Sequence, residues 1–157
     1  MNVLMAKDII NVPFLIKGCR EGNRSSQLRL YENFYGYGMG ICLRYCKNRE
    51  EALEVLNYGF LKAFTKMELY NPLYPFKAWF RKILINASID YHRKYHKLTG
   101  GEALGYEAET KASTHNLGLE NLAYDDLIKV MQKLSPGYRL VFNLYIVDGL
   151  THKEIAK

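Results

Sequence analysis

The stretch Phe76-Lys77-Ala78-Trp79-Phe80-Arg81-Lys82-Ile83-Leu84-Ile85-Asn86-Ala87-Ser88-Ile89-Asp90-Tyr91-His92-Arg93-Lys94 decides the fold. At about 100° per residue, Phe76, Phe80, Ile83, Leu84, Ala87 and Tyr91 share one side, the apolar stripe of a core-facing helix. Lys82, Asn86 and Arg93 fall together on a flank beside it. Arg81, Ser88 and His92 form a second polar cluster, with Ile85 and Ile89 between the two. The spacing predicts a helix over 76–95.

Outward from this helix the periodicity stays helical, and strand-like alternation with Asn-Gly turns is missing. Helices are predicted over 12–21, ended by Gly22-Asn23, over 25–46, and over 48–66. Residues 67–75 hold Pro72, Pro75 and Asn71 and read as a loop. Residues 98–116 carry Gly100, Gly101 and Gly105 with several Ser, Thr and acids, the composition of a flexible linker. A second helical set starts near 119, its first helix ending near 133. Ser135-Pro136 then supplies a cap and a proline at the first helical position. That helix stops at Asp148-Gly149, and Thr151 with Glu154 makes a capping box for the last one.

The segment 134–157 reads as the opening of a helix-turn-helix, and the sequence stops at Lys157 before a groove-reading helix. Val141, Tyr145 and Ile155 then lack part of their cover, so this set is expected to be loosely ordered or to pack elsewhere. The expected fold is all-α: a helical bundle over 1–97, an acidic flexible linker over 98–118, and an incomplete helix-turn-helix domain over 119–157.

Composition agrees with a chain that has a real core and an anionic partner. Apolar residues make up 48% of 157, and the formal charge is +6. Its distribution says more than its sum. Arg81, Lys82, Arg93, Lys94 and Lys97 face one acid, Asp90, whereas Glu102, Glu107, Glu109 and Glu120 in the linker region face Lys111. No apolar stretch approaches the roughly 20 residues of a membrane span. Lys7 and Asp8 stand where a signal peptide would be apolar, and the three cysteines fit a reducing compartment, so the expected location is cytoplasmic.

A helix that presents Lys82, Asn86 and Arg93 from one flank, with Arg81 and Lys94 beside them, can hold phosphates and read a base edge. A solvated helix face has the same composition. Tyr70, Tyr74, Phe76 and Trp79 place aromatic rings next to the basic residues, as suits stacking on single-stranded bases. Phe76 and Trp79 can equally be core residues closing the loop onto the bundle.

The helix over 48–66 has Glu50, Glu51 and Glu54 in its first turns and Lys62 and Lys66 at its end, which complements the helix dipole. Its edge of Glu54, Asn57 and Tyr58 can face a protein. Cys42, Cys46, His92 and His96 have the i, i+4 spacings of a zinc site, and a small zinc hydrolase is the corresponding enzyme reading. Against it, the cysteines lie in an apolar run and the histidines among cations. No phosphate-binding glycine loop, nucleophile elbow or metalloprotease motif occurs, so neither an enzyme nor a bound metal or cofactor is expected.

Leu30-Tyr31 with Phe34-Tyr35, Ile41-Cys42-Leu43-Arg44-Tyr45, Asn48-Arg49-Glu50-Glu51-Ala52, Glu54-Val55-Leu56-Asn57, Gly59-Phe60-Leu61-Lys62-Ala63-Phe64 and the stretch 76–94 resemble region 2 of the extracytoplasmic-function sigma factors of bacterial RNA polymerase. Residues 134–157 resemble the first half of region 4. The resemblance implies a non-enzymatic transcription initiation factor whose partners are core RNA polymerase, promoter DNA and an anti-sigma factor. It implies that Glu51, Glu54, Asn57 and Tyr58 lie on the polymerase-docking surface, Tyr58 departing from the acid usual there. It also implies that Lys82, Asn86, Arg93, Lys94, Arg81, Tyr74 and Trp79 recognise and melt the minus-10 element, the loop before the helix accepting an unstacked base. A truncated sigma-like module that occupies polymerase or an anti-sigma partner without starting transcription is the alternative.

Overall fold

Asparagine side chains start each of the first three helices of the computed structural model, which describes residues 11–98 and 124–156. Asn11 Oδ1 accepts from Phe14 N at 3.1 Å and opens α1 (Val12–Arg20). Asn23 Oδ1 accepts from Ser26 N at 2.9 Å and opens α2 (Arg24–Tyr45). Asn48 Oδ1 accepts from Glu51 N at 2.9 Å and opens α3 (Arg49–Thr65). Each satisfies an amide that the helix itself leaves unpaired. A 3₁₀ turn (Met67–Leu69) follows, within the segment expected to be loop, and then α4 (Phe76–Leu98), one turn longer than its apolar spacing predicts.

The stripe of α4 is the centre of the core. Phe76, Phe80, Leu84 and Ala87 are buried, and Ile83 and Tyr91 pack partly buried against the same cluster. Phe80 meets Phe34 of α2 and Phe60 of α3 at ring-centroid distances of 6.4 and 4.6 Å. Burial of a side chain such as Phe80 contributes about 1.5–3 kcal/mol. Glycine lets the helices close on one another. A Cβ on Gly38 would stand 2.4 Å from Leu56 Cδ1, and one on Gly59 would stand 2.4 Å from Leu84 Cδ2.

Ser88 departs from the sequence reading. It is buried, and its hydroxyl donates to the Leu84 carbonyl at 2.9 Å rather than joining an exposed polar cluster with Arg81 and His92.

The C-terminal residues form α5 (Tyr124–Gln132), α6 (Pro136–Phe142), a π turn (Asn143–Val147) and α7 (His152–Ile155). Pro136 stands at the start of α6 as expected, but the Ser135 side chain makes no capping bond. The Thr151–Glu154 capping box is present in both directions. Of the expected linker over 98–118, residues 99–118 lie outside the described ones.

This C-terminal set packs on the end of α2. The last carbonyls of a helix have no partner within it, and here the later residues supply them. Gln132 Nε2 donates to the Leu43 carbonyl at 3.4 Å and Asn143 Nδ2 to the Arg44 carbonyl at 2.7 Å. One turn earlier, Tyr124 donates its hydroxyl to the Gly40 carbonyl at 3.0 Å. Leu144 is buried in the same core cluster as the α2 and α4 side chains, with Leu140, Leu150 and Ile155 packed against it. Val141 and Tyr145 remain exposed.

Candidate nucleic-acid interface

Two grooves flank the N-terminal half of α4. One, of about 540 Å³, is lined by Arg81, Lys82 and Asn86 on the α4 side and by Val147, Asp148 and Leu150 opposite. Lys82 and Asn86 are exposed, so an ammonium and a side-chain amide face outward one turn apart. Arg93 and Lys94 continue the cationic surface two turns further along the same helix and are exposed as well. Three cations along one helix suit a phosphate backbone, and the Asn86 amide adds the donor and acceptor pair that a base edge needs.

Arg81 differs from its neighbours. Its guanidinium is half-buried and ion-paired to Asp148, whose other oxygen accepts the Tyr45 hydroxyl. The hydrogen bond that Arg81 donates to Asp148 holds the Arg81 pKa above its ordinary value, despite partial burial. Burial first, and then the Asp148 carboxylate, push the Tyr45 hydroxyl up. Asp148 and Tyr45 were not singled out from the sequence. Asp148 reads there only as part of a helix stop, and nothing local links it to Arg81, 67 positions away.

The aromatic residues lie elsewhere. Tyr74, 65% exposed, lines a second groove of about 400 Å³ with Lys17 and Arg20 of α1 and with Leu73 and Phe76. Trp79 is on the wall of neither groove. Its ring packs against Tyr70 and Phe76 at centroid distances of 5.3 and 5.7 Å, the core-closing role weighed for it. The loop is built rather than slack. Tyr70 donates its hydroxyl to the Tyr74 carbonyl at 2.6 Å, and Asn71 Oδ1 accepts from Leu73 N at 3.0 Å. Arg20 donates to the Tyr70 carbonyl at 2.7 Å and to the Met67 carbonyl at 3.3 Å. Lys17 and Arg20, which set positive charge beside the exposed Tyr74 ring, carry no signal of their own in the sequence.

On α3, Glu54, Asn57 and Tyr58 are exposed. Asn57 Oδ1 accepts the Tyr31 hydroxyl at 3.0 Å, and Lys62 Nζ lies 4.5 Å from the Tyr58 ring centroid. Glu51 is half-buried, and its carboxylate accepts from Lys47 N at 3.0 Å, so part of its role is to cap α3. Glu54, Tyr58 and Asp90 line a cleft with Lys94, which puts the edge of the α3 surface next to the end of the α4 cations.

The zinc reading gains no support from the thiols. Cys42 and Cys46 are buried, and burial pushes Cys42 up to about 12 and Cys46 higher still, away from the thiolate that binds metal. The His96 side chain lies outside the described residues, and among these no group of three or more His, Cys, Asp or Glu could hold a metal ion. No helix among the described residues is long and apolar enough to cross a membrane.

A basic helix face, a separate aromatic loop and a C-terminal helical set beside them are parts that comparison with known proteins can place. Residues 30–98 match the family model Sigma-70 region 2, and residues 124–157 match Sigma-70, region 4. The first match ends where α4 ends and the second begins where α5 begins. These two regions in this order define a transcription initiation factor of the sigma type. A relative, the RNA polymerase sigma factor SigV of Bacillus subtilis (strain 168), is 28% identical over 118 residues, 74% of this chain and 68% of that protein. The chain belongs to the sigma-70 family, with the region 2 and region 4 organisation of its extracytoplasmic-function group.

Proposed function

We propose that this sigma factor docks on core RNA polymerase through the exposed edge of α3 and opens promoter DNA at the minus-10 element through α4. The carrying observation is the groove in which Lys82 and Asn86 stand exposed within the region 2 match, continued by Arg93 and Lys94. Lys82, Arg93 and Lys94 hold phosphates and Asn86 reads a base edge. Tyr74, with Lys17 and Arg20 beside it, stacks a base extruded from the opened strand, an interaction worth roughly 1–3 kcal/mol. Trp79 supports that loop from beneath. Glu54, Asn57 and Tyr58 meet the polymerase, with Glu51 holding the start of their helix. The role is binding and positioning rather than catalysis, and the division into 1–97, 98–118 and 119–157 is part of the same reading. An anti-sigma factor would compete for either face, and the location that fits is the cytoplasm.

The test is co-purification with core polymerase, followed by opening of fork-junction DNA carrying an exposed minus-10 strand. Retention on core together with protection of that strand is expected. A chain that does neither ends the proposal. The second reading, a module that occupies polymerase or an anti-sigma partner without starting transcription, draws on one observation, the engagement of Arg81 by Asp148. It predicts retention on core with no opening.

A further inference from the structure

The loop after the π turn lies on the groove assigned above to nucleic acid. The Asp148 side chain is 5% exposed, against 39% for its partner Arg81. One carboxylate oxygen accepts from Arg81 Nη2 and the other from the Tyr45 hydroxyl. Tyr45 ends α2 and Arg81 lies in the second turn of α4, so two helices of the N-terminal bundle grip one acidic residue of the C-terminal set. Two anionic oxygens set against a guanidinium and a hydroxyl are also what a phosphodiester presents. Val147 and Leu150 extend the same loop along the wall opposite Lys82 and Asn86, and Gly149 turns it with φ of 71°. Elsewhere among the described residues the C-terminal set is seated by side chains on α2 carbonyls, by the buried Leu144 and by the partly buried Leu140, Leu150 and Ile155, so residues 147–150 can lift without unseating Leu144.

We propose that residues 147–150 are an intramolecular stop: Asp148 occupies Arg81 in place of a nucleic-acid phosphate, and the loop must lift before Arg81, Lys82 and Asn86 can close on a DNA strand. This rests on the reading of α4 as the DNA-contacting helix. The competing ligand is an opened phosphodiester strand.

The full chain is titrated with a fluorescent single-stranded DNA 20-mer of mixed sequence at low salt. Asp148→Asn removes the carboxylate charge, and Tyr45→Phe loosens the same residue without altering net charge. Tightening of about tenfold for Asp148→Asn and about threefold for Tyr45→Phe is expected. Adding Arg81→Ala to Asp148→Asn should abolish the gain. Asp125→Asn, which neutralises an exposed acid of α5 away from the groove, should shift binding by less than about twofold.

If the Asp148 and Tyr45 variants bind like the parent chain while Lys82→Glu with Arg93→Glu weakens binding, the stop is overturned and the α4 reading stands. A gain from Asp148→Asn no larger than that from Asp125→Asn is simple charge and also overturns it. Absence of binding by every chain overturns it too, because releasing Asp148 then uncovers no DNA site. In that case the α4 reading is decided by strand opening with polymerase. Should Asp148→Asn fail to fold, as read by hydrogen exchange of α2–α4, the isosteric Tyr45→Phe carries the same decision.

Discussion

Lys62 Nζ lies 2.7 Å from Asp90 Oδ2, and this ion pair ties α3 to α4. The two helices carry the two surfaces of the proposed function, so the pair helps to fix the spacing between polymerase contact and DNA contact. The hydrogen bond that Lys62 donates to Asp90 holds its ammonium above the ordinary value of 10.5. The side chains are 24% and 48% exposed, however, and water screens much of the attraction. Asp90→Asn is therefore expected to lower stability by less than about 1 kcal/mol in urea denaturation, with the difference shrinking in 1 M salt. A loss several times larger would mean that the pair behaves as a buried one.

Close approach of α3 and α4 depends on Gly59. The Cβ of an alanine there would overlap Leu84 Cδ2, and Leu84 is fully buried, so its side chain must shift within the packed core. Gly59→Ala gains about 1 kcal/mol in helix propensity but is expected to lose more through overpacking, which costs about 1–3 kcal/mol. The predicted net effect is a lower midpoint in thermal denaturation, and in a double-mutant cycle Leu84→Ala is expected to cost less beside Gly59→Ala than alone. A midpoint that rises would show that the helices part without cost.

Arg139 organises the C-terminal set. It is buried, and its guanidinium donates to the carbonyls of Met131, Gln132 and Leu134 at 3.2, 3.0 and 2.7 Å, closing the end of α5. Burial lowers its pKa from the ordinary value, and the charge of the nearby Glu51 carboxylate opposes that shift. Arg139→Met takes the guanidinium from all three carbonyls; Met131 keeps the Leu134 amide at 3.1 Å, while Gln132 and Leu134 lose this donor, at about 1–3 kcal/mol each where water cannot replace it. Amide exchange should accelerate across 124–150 while α3 and α4 keep their protection. Uniform exchange in the variant and the parent would remove Arg139 from this role.

Alkaline pH should destabilise the bundle through its thiols. Burial raises Cys19 from 9.0 to about 11 and Cys42 from 9.0 to about 12. A group whose pKa is raised on folding contributes stability that is fully present below the unfolded value and is lost as pH rises toward the folded one. Stability in denaturant titrations should thus hold up to about pH 9 and fall between about 9 and 12. Cys42→Ser and Cys19→Ser variants should fall less steeply over that range, whatever their stability at neutral pH. Equal slopes would place the alkaline loss on other groups.

Much of this molecule is legible from residue spacing because its N-terminal helices pack by their own stripes. Phe76, Phe80, Leu84 and Ala87 are core because they recur on one face, and Lys82, Asn86 and Arg93 are outside because they recur on another. Ser88 misleads because a hydroxyl counts as polar in a helical projection, while in a helix it can satisfy itself on the carbonyl one turn back. Trp79 is ambiguous for a related reason, since a ring at the edge of a stripe can face either way and only Tyr70 decides it. What no local pattern carries is the seating of 124–156. Gln132, Asn143 and Asp148 reach partners 67 to 103 positions away, and only the folded chain shows that they cap α2 and engage Arg81.

The most direct test replaces three of the exposed α4 donors together, Lys82→Glu, Asn86→Ala and Arg93→Glu, and follows permanganate reactivity of unpaired thymines at a cognate promoter with core polymerase. Each contact is worth roughly 1–3 kcal/mol, so strand opening is predicted to fall about 100-fold or more while affinity for core stays within about twofold of the parent chain. Unchanged thymine reactivity in the triple variant would contradict the assignment of α4 as the helix that opens DNA.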